Sequence, residues 1–250
     1  MEKRPDALLL KFAGTNCDEE TARALRAVGF DAEIMPFPLV TQERIEQADL
    51  VVLAGGFSYG DYIMAGKLAQ LELQQKLGSP LKTFHEHGGF LLGICNGFQI
   101  LMRLGLLPEG SLIHNANGRF ICRWVGLEQA STDNLYLAQL PATFELPIAH
   151  AEGRFVAPEG QSAAYREQGY VALTYAEDVN GSEERIAGIQ DASRRVFGLM
   201  PHPERFLYRE HHCDPDWAGD AEWGWGYFFF KSIHDAIVLE RETIKQEASV

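Results

Sequence analysis

Phe90-Leu91-Leu92-Gly93-Ile94-Cys95-Asn96-Gly97-Phe98-Gln99-Ile100-Leu101 joins an apolar run of strand type directly to a helical pattern, with one cysteine at the junction. Gly93-Ile94-Cys95-Asn96-Gly97 has the form G-x-C-x-G, the thiol counterpart of a nucleophile elbow. In such an elbow the nucleophile occupies a tight strand-to-helix turn, and the flanking glycines let neighbouring backbone pass without Cβ clashes. The helix behind Cys95 aims its amino-terminal dipole at the sulfur, a field that favours negative charge there. A buried cysteine ending a strand would need neither glycine, so Cys95 is read as a nucleophile.

Outward from this stretch, strands and helices alternate. Residues 7–12 (ALLLKF) form an apolar run of buried-strand length, and Asp18 is placed to cap a helix carrying Ala22, Leu25 and Val28 on one face. Gly29 ends that helix, residues 31–35 make a second strand, and Thr41 opens a polar helix. Leu50-Val51-Val52-Leu53 is a third strand, apolar on both faces, and residues 68–87 read as helix with a break at Gly78-Ser79-Pro80. His85 and His87 suit the end of that helix. This alternation predicts an α/β fold with an open, mostly parallel sheet flanked by helices. From about residue 110 the segments become short and mixed in polarity, which predicts added antiparallel strands, with Cys122 as a small apolar filler. Residues 171–175, 186–190 and 196–200 are strands, separated by turns at Asn180-Gly181-Ser182 and Asp191-Ala192-Ser193. Residues 227–246 form a final helix with Ile233, Ala236 and Ile237 inward. No linker divides the chain, so residues 1–250 are expected to form one domain.

Composition narrows the function. Of 250 residues, 46% are hydrophobic and 23% charged, enough for a full core, and the formal net charge is −13. That charge opposes nonspecific binding to nucleic acid or anionic membrane. Four scattered cysteines without a C-x-x-C pair are neither a disulfide framework nor a zinc ribbon, and no metal site is expected. His211-His212-Cys213-Asp214 lacks a second ligand cluster and reads as a solvated loop. The amino-terminal residues lack a signal-peptide pattern, so a reducing cytoplasm is the expected location.

Two further stretches carry chemistry. Ala54-Gly55-Gly56-Phe57-Ser58-Tyr59-Gly60-Asp61 follows the third strand, at the carboxyl edge where open parallel sheets bind ligands. Backbone N–H groups around Gly55 and Gly56, with that of Asn96, are placed to form an oxyanion hole; a simple turn is the plainer reading. Met200-Pro201-His202-Pro203-Glu204-Arg205 follows the last strand. In an extended segment His202 and Glu204 share a side, so Glu204 can hold one ring nitrogen and leave the other toward Cys95. A surface turn in which Glu204 pairs with Arg205 is the competing reading.

A G-x-C-x-G elbow with a later P-H-P-E segment resembles the class I, triad-type glutamine amidotransferases, a flavodoxin-like family. Within it, the runs Gly14-Thr15-Asn16-Cys17-Asp18, Gly55 to Asp61, Gly93 to Leu101, Pro147 to Arg154, Asn180-Gly181-Ser182 and Met200 to Arg205 are similar to the glutaminase subunits of phosphoribosylformylglycinamidine synthase. The resemblance implies catalysis by Cys95, His202 and Glu204 through a thioester, with Gln99 contacting the substrate glutamine. It implies no cofactor in this chain. The ammonia would pass to a separate synthetase chain using ATP and magnesium, with or without a small bridging subunit, for de novo purine biosynthesis. His150 to Arg154 would face the synthetase or form a structural turn. Ala54 stands where the family commonly has Pro, and the Trp-rich stretch 217–225 is longer than expected, as a partner-facing or packing loop. A glutaminase serving a different synthetase and a non-catalytic regulatory subunit are the alternatives; intact Cys95, His202 and Glu204 weigh against the second.

Overall fold

The computed structural model of the chain describes residues 3–57 and 74–247. Its parallel half begins with β1 (Asp6–Lys11), α1 (Asp18–Val28), β2 (Asp31–Pro36), α2 (Gln42–Glu46) and β3 (Leu50–Leu53). It continues with α3 (Ser79–Glu86), β4 (Phe90–Ile94) and α4 (Asn96–Arg103). Then come β5 (Ser111–Ile113), β6 (Ile121–Gln129), β7 (Thr143–His150), β8 (Arg154–Val156) and α5 (Gln161–Glu167). The chain closes with β9 (Val171–Tyr175), β10 (Ile186–Gln190), β11 (Val196–Leu199) and α6 (Trp225–Glu247). Among the described residues one sheet has the order β2-β1-β3-β4-β11-β10-β9-β6-β7, and β5 pairs separately with β8. The first five strands of that order run parallel; each later pairing is antiparallel.

Burial follows from the two pairing modes. Every residue of β3 and β4 is buried, as expected of parallel strands covered on both faces. In β7 buried and more exposed residues alternate strictly, the signature of a strand with one covered face. β4 and β11 run side by side with Ile94 opposite Leu199, so two remote parts of the sequence end together at the carboxyl edge. The Tyr136 hydroxyl pins these strands from the side, 3.0 Å from the Leu91 carbonyl oxygen and 2.8 Å from that of Arg195. Gly198 makes room for the Phe98 ring of α4, since a Cβ there would stand 2.2 Å from it.

Several expectations change. Asp18 does not cap α1: it is the first helical residue and is held by Lys11, while the acidic run 18–20 complements the helix dipole. Thr41 does cap α2, accepting the Arg44 N–H at 3.2 Å. Cys122 is exposed on β6 rather than filling the core, because it falls on the strand's outward face. His212 does not lie in solvent: its ring stacks on Trp217 and meets Trp124 and Phe206. The Trp-rich stretch packs into the same cluster, with Trp217 against Phe206 and Trp223 stacked on Tyr227. Residues 58–73, which include Ser58-Tyr59-Gly60-Asp61 and the start of the helix expected over 68–87, lie outside the described residues.

Candidate active site

Cys95 joins β4 to α4 with φ +52° and ψ −106°, a backbone that L-residues rarely adopt. The two glycines of the elbow have steric reasons. A Cβ on Gly97 would lie 1.8 Å from the Leu53 carbonyl oxygen, and one on Gly93 would lie 2.7 Å from the Gly97 carbonyl. Any side chain at Gly97 would therefore push α4 off β3. The Cys95 N–H donates to the Leu199 carbonyl at 2.8 Å, which fixes the elbow against the end of β11.

From that end the chain enters Met200-Pro201-His202, and Pro203–Arg205 makes a single 3-10 turn. The sequence suggested an extended segment; the turn brings the pair together instead, with His202 Nδ1 and Glu204 Oε1 2.6 Å apart. The His202 N–H donates to the Pro147 carbonyl of β7 at 2.9 Å. Both side chains are almost wholly buried, and neither His202 Nε2 nor Glu204 Oε2 has a hydrogen-bond partner among the described residues. Burial alone would push the His202 imidazole down. The Glu204 carboxylate, and after it the Cys95 and Cys17 thiols, act the other way and hold it well above its ordinary value. Glu204 pairs with His202, not with Arg205, whose guanidinium reaches Glu20 at 3.6 Å.

The loop after β3 closes over the imidazole. A Cβ on Gly55 would lie 2.9 Å from His202 Cε1 and one on Gly56, where φ is +153°, 2.5 Å from the Gly14 carbonyl oxygen. The Gly55 carbonyl accepts the Asn16 and Cys17 N–H groups at 3.3 and 3.2 Å, tying this loop to the β1–α1 connection. One turn beyond Cys95, Gln99 is clamped. Its Oε1 accepts from Asn96 Nδ2 at 2.9 Å, and its Nε2 donates to the Glu152 carbonyl at 2.7 Å.

The β7 end contributes residues that the sequence leaves between a partner-facing and a structural role. The Ala149 carbonyl oxygen lies 3.9 Å from Cys95 Sγ. His150 is buried rather than turned toward a partner; its Nδ1 is 3.0 Å from Asn115 Oδ1, and Asn115 Nδ2 donates to the His150 carbonyl at 2.8 Å. Burial, with the charge of His202 beside it, lowers the His150 pKa to about 4, so this imidazole is neutral next to one that is readily charged. Tyr175 of β9 is fully buried, and its hydroxyl is pushed up, by burial first and then by the Cys95 charge. Cys17 stands near His202 from the opposite side of the chain, with Arg205 Nη2 donating to its sulfur at 3.2 Å. Asn115 and Tyr175 carry no spacing that sets them apart in sequence, and Cys17 falls in the Gly14–Asp18 run with no role assigned to it there; their elements converge only in the folded sheet.

This arrangement can form a covalent thioester and move a proton on and off its leaving group. The CobB/CobQ-like glutamine amidotransferase domain matches residues 4–234 of the chain. The chain belongs to the glutamine amidotransferases. It is an enzyme of that family, and its mixed sheet with flanking helices is the family's fold. Among relatives, the phosphoribosylformylglycinamidine synthase subunit PurQ of Thermotoga maritima is 40% identical over 204 residues, 81% of this chain and 88% of that protein. The PurQ subunit of Synechococcus sp. strain JA-3-3Ab is 43% identical over 230 residues, 90% of this chain and 94% of that protein. A chain in the structure of PurLQS from Thermotoga maritima superposes with a TM-score of 0.77 at 36% identity, covering 94% of this chain and 99% of its own. No helix among the described residues is long and apolar enough to cross a membrane.

Proposed function

We propose that the chain is the glutaminase subunit of phosphoribosylformylglycinamidine synthase, with Cys95, His202 and Glu204 as its catalytic triad. The observation that carries the site assignment is the strained Cys95 elbow beside an imidazole that feels its thiol and whose Nδ1 is already held by Glu204 at 2.6 Å. That bond leaves Nε2 to take the Cys95 proton. Sulfur attacks the side-chain amide carbon of glutamine, and the amide oxygen gains the negative charge that Gly55, Gly56 and Asn96 N–H groups would stabilise. As the C–N bond breaks, Nε2 returns the proton to the nitrogen and ammonia leaves. The γ-glutamyl thioester remains until water, deprotonated by the same nitrogen, releases glutamate and the thiol. Gln99 and the Glu152 carbonyl it grips form the wall against which glutamine is positioned.

The 40% and 43% identity to PurQ subunits over most of their length, and the likeness to a chain of PurLQS, support assembly with a synthetase subunit. That synthetase would consume the ammonia with ATP and magnesium. The assembly forms with or without a small bridging subunit. Four free cysteines suit a reducing cytoplasm. The test is glutamate release by the chain alone, then with the synthetase, ATP and formylglycinamide ribonucleotide. Cys95→Ala should abolish glutamine-dependent turnover of the complex and leave ammonia-dependent turnover intact. Loss of both would refute the division of labour.

A further inference from the structure

Cys17 brings a second thiol to the imidazole that serves Cys95. Cys17 Sγ, a His202 ring nitrogen and a Glu204 carboxylate oxygen all lie within 4.8 Å of one another, and all three residues are buried. The residues come from two loops that the fold brings together: Cys17 closes the β1–α1 connection, and the other two follow β11. Glu204 Oε2 and His202 Nε2 are buried and lack partners among the described residues, so the cluster holds unused donor capacity. The thiol is fixed in direction, donating to Asn16 Oδ1 at 3.3 Å while accepting from Arg205 Nη2 at 3.2 Å.

We infer that Cys17, His202 and Glu204 form an inhibitory site for a borderline-soft divalent cation, with Zn²⁺ as the best match. Sulfur, imidazole and carboxylate are zinc's preferred donors, whereas magnesium and calcium seek all-oxygen sites. Tetrahedral zinc holds such donors roughly 3.5 Å apart. Donors already within 4.8 Å reach that separation by side-chain rotations of about an ångström. Binding releases two protons to solvent, one from the Cys17 thiol and one from the charged His202 ring, which then ligates as a neutral imidazole; the resulting thiolate and the Glu204 carboxylate neutralise the ion, and water completes the shell. The Arg205 guanidinium stays on the thiolate, supporting it without occupying the metal. Whichever ring nitrogen binds, the triad stops. Ligation at Nε2 takes the lone pair that serves Cys95, and ligation at Nδ1 displaces Glu204.

Metal binding stands on the geometry alone, and inhibition rests on the proposed function, so the two are read separately. The full chain carrying Cys95→Ala is titrated with Co²⁺, which reports thiolate ligation by a near-ultraviolet charge-transfer band. One equivalent should produce the band, and adding Cys17→Ser should remove it. A band that survives without Cys17, arising at Cys122 or Cys213, or no band with Cys17 present, overturns the site. In the unsubstituted chain, Zn²⁺ should protect Cys17 from alkylation at least tenfold by peptide mass spectrometry; unprotected Cys17 overturns it even if Cys17→Ser does not fold. With glutamate release as readout, the Zn²⁺ concentration that halves each protein's own metal-free rate should rise at least tenfold in Cys17→Ser. An unchanged value assigns zinc inhibition to Cys95 and His202 alone and overturns the regulatory part.

Discussion

Replacing Cys95 by glycine should stabilise the protein relative to replacing it by alanine, the reverse of ordinary behaviour. Both variants lose the thiol, so its contacts cancel in the comparison, and what differs is one methyl group and the freedom of one backbone unit. At an ordinary buried position glycine is less stable than alanine by about 0.5–1 kcal/mol of backbone freedom, plus about 0.8 kcal/mol for the lost methyl. At φ +52°, ψ −106° the alanine retains the strain of the elbow and glycine releases it. That backbone lies outside even the small left-handed region open to L-residues, so the strain belongs near the upper end of the usual range, about 3 kcal/mol. The balance favours glycine by about 1 kcal/mol, roughly 2–4 °C in Tm for a chain of this size. Urea unfolding of the two variants, with equal m-values as the check that both unfold alike, measures the difference. Alanine as stable as glycine, or more so, would refute the claim that the elbow is strained and with it the steric account of the motif.

Three other outcomes follow from the site and its frame. Glu204→Gln should lower glutamine-dependent kcat by 10²-fold or more, as expected when an imidazole loses the anion that orients it and favours its charged form; steady-state kinetics of the complex measures it. His150 is held at about 4 against an ordinary 6.5, so its neutral form supplies stability that is complete above pH 6.5 and lost as pH falls toward 4. That loss is about 3 kcal/mol, and His150→Asn should remove this part of the pH dependence in urea titrations. The raised pKa of His202 acts in the opposite sense, adding stability below pH 6.5 that fades as pH rises, so it does not mask the acid loss. Asp191 is held at about 2, burial being outweighed by bonds from His85, Ser193 and the Val196 N–H. Its contribution, about 2 kcal/mol, is present above pH 3.8 and lost as pH falls through 2. Asp191→Asn should therefore be less stable by that amount at pH 7 and by much less near pH 2.5.

The parallel half was legible because β1, β3 and β4 are apolar on both faces and its elbow has a glycine on each side of one cysteine. Each of those glycines proves to have a steric cause in the folded chain. His202 and Glu204 were legible for an incomplete reason: the extended geometry expected of them is a 3-10 turn, and two prolines that forbid a strand continuation favour it. Cys122 and His212 misled because burial in the antiparallel half depends on register and on which aromatic ring comes back over which strand. Pattern along one segment contains neither. The sequence leaves His150 between a partner-facing and a structural place because a buried neutral imidazole and an exposed one have the same sequence context. Only Asn115, 35 residues away, and the neighbouring charge distinguish them.

The pairing of Ile94 with Leu199 has a consequence for how this protein is made. Thiol and base stand on adjacent strands, yet about a hundred residues of polypeptide must be threaded between them, a closure whose entropy is met late in folding. At a translation rate of roughly 5–20 residues per second, the ribosome has Cys95 in hand for on the order of 5–20 s before it adds His202. A nascent chain therefore carries an elbow with no proton acceptor and cannot turn over glutamine. The order of synthesis acts as a safety catch, released only when the second half of the sheet docks against the first.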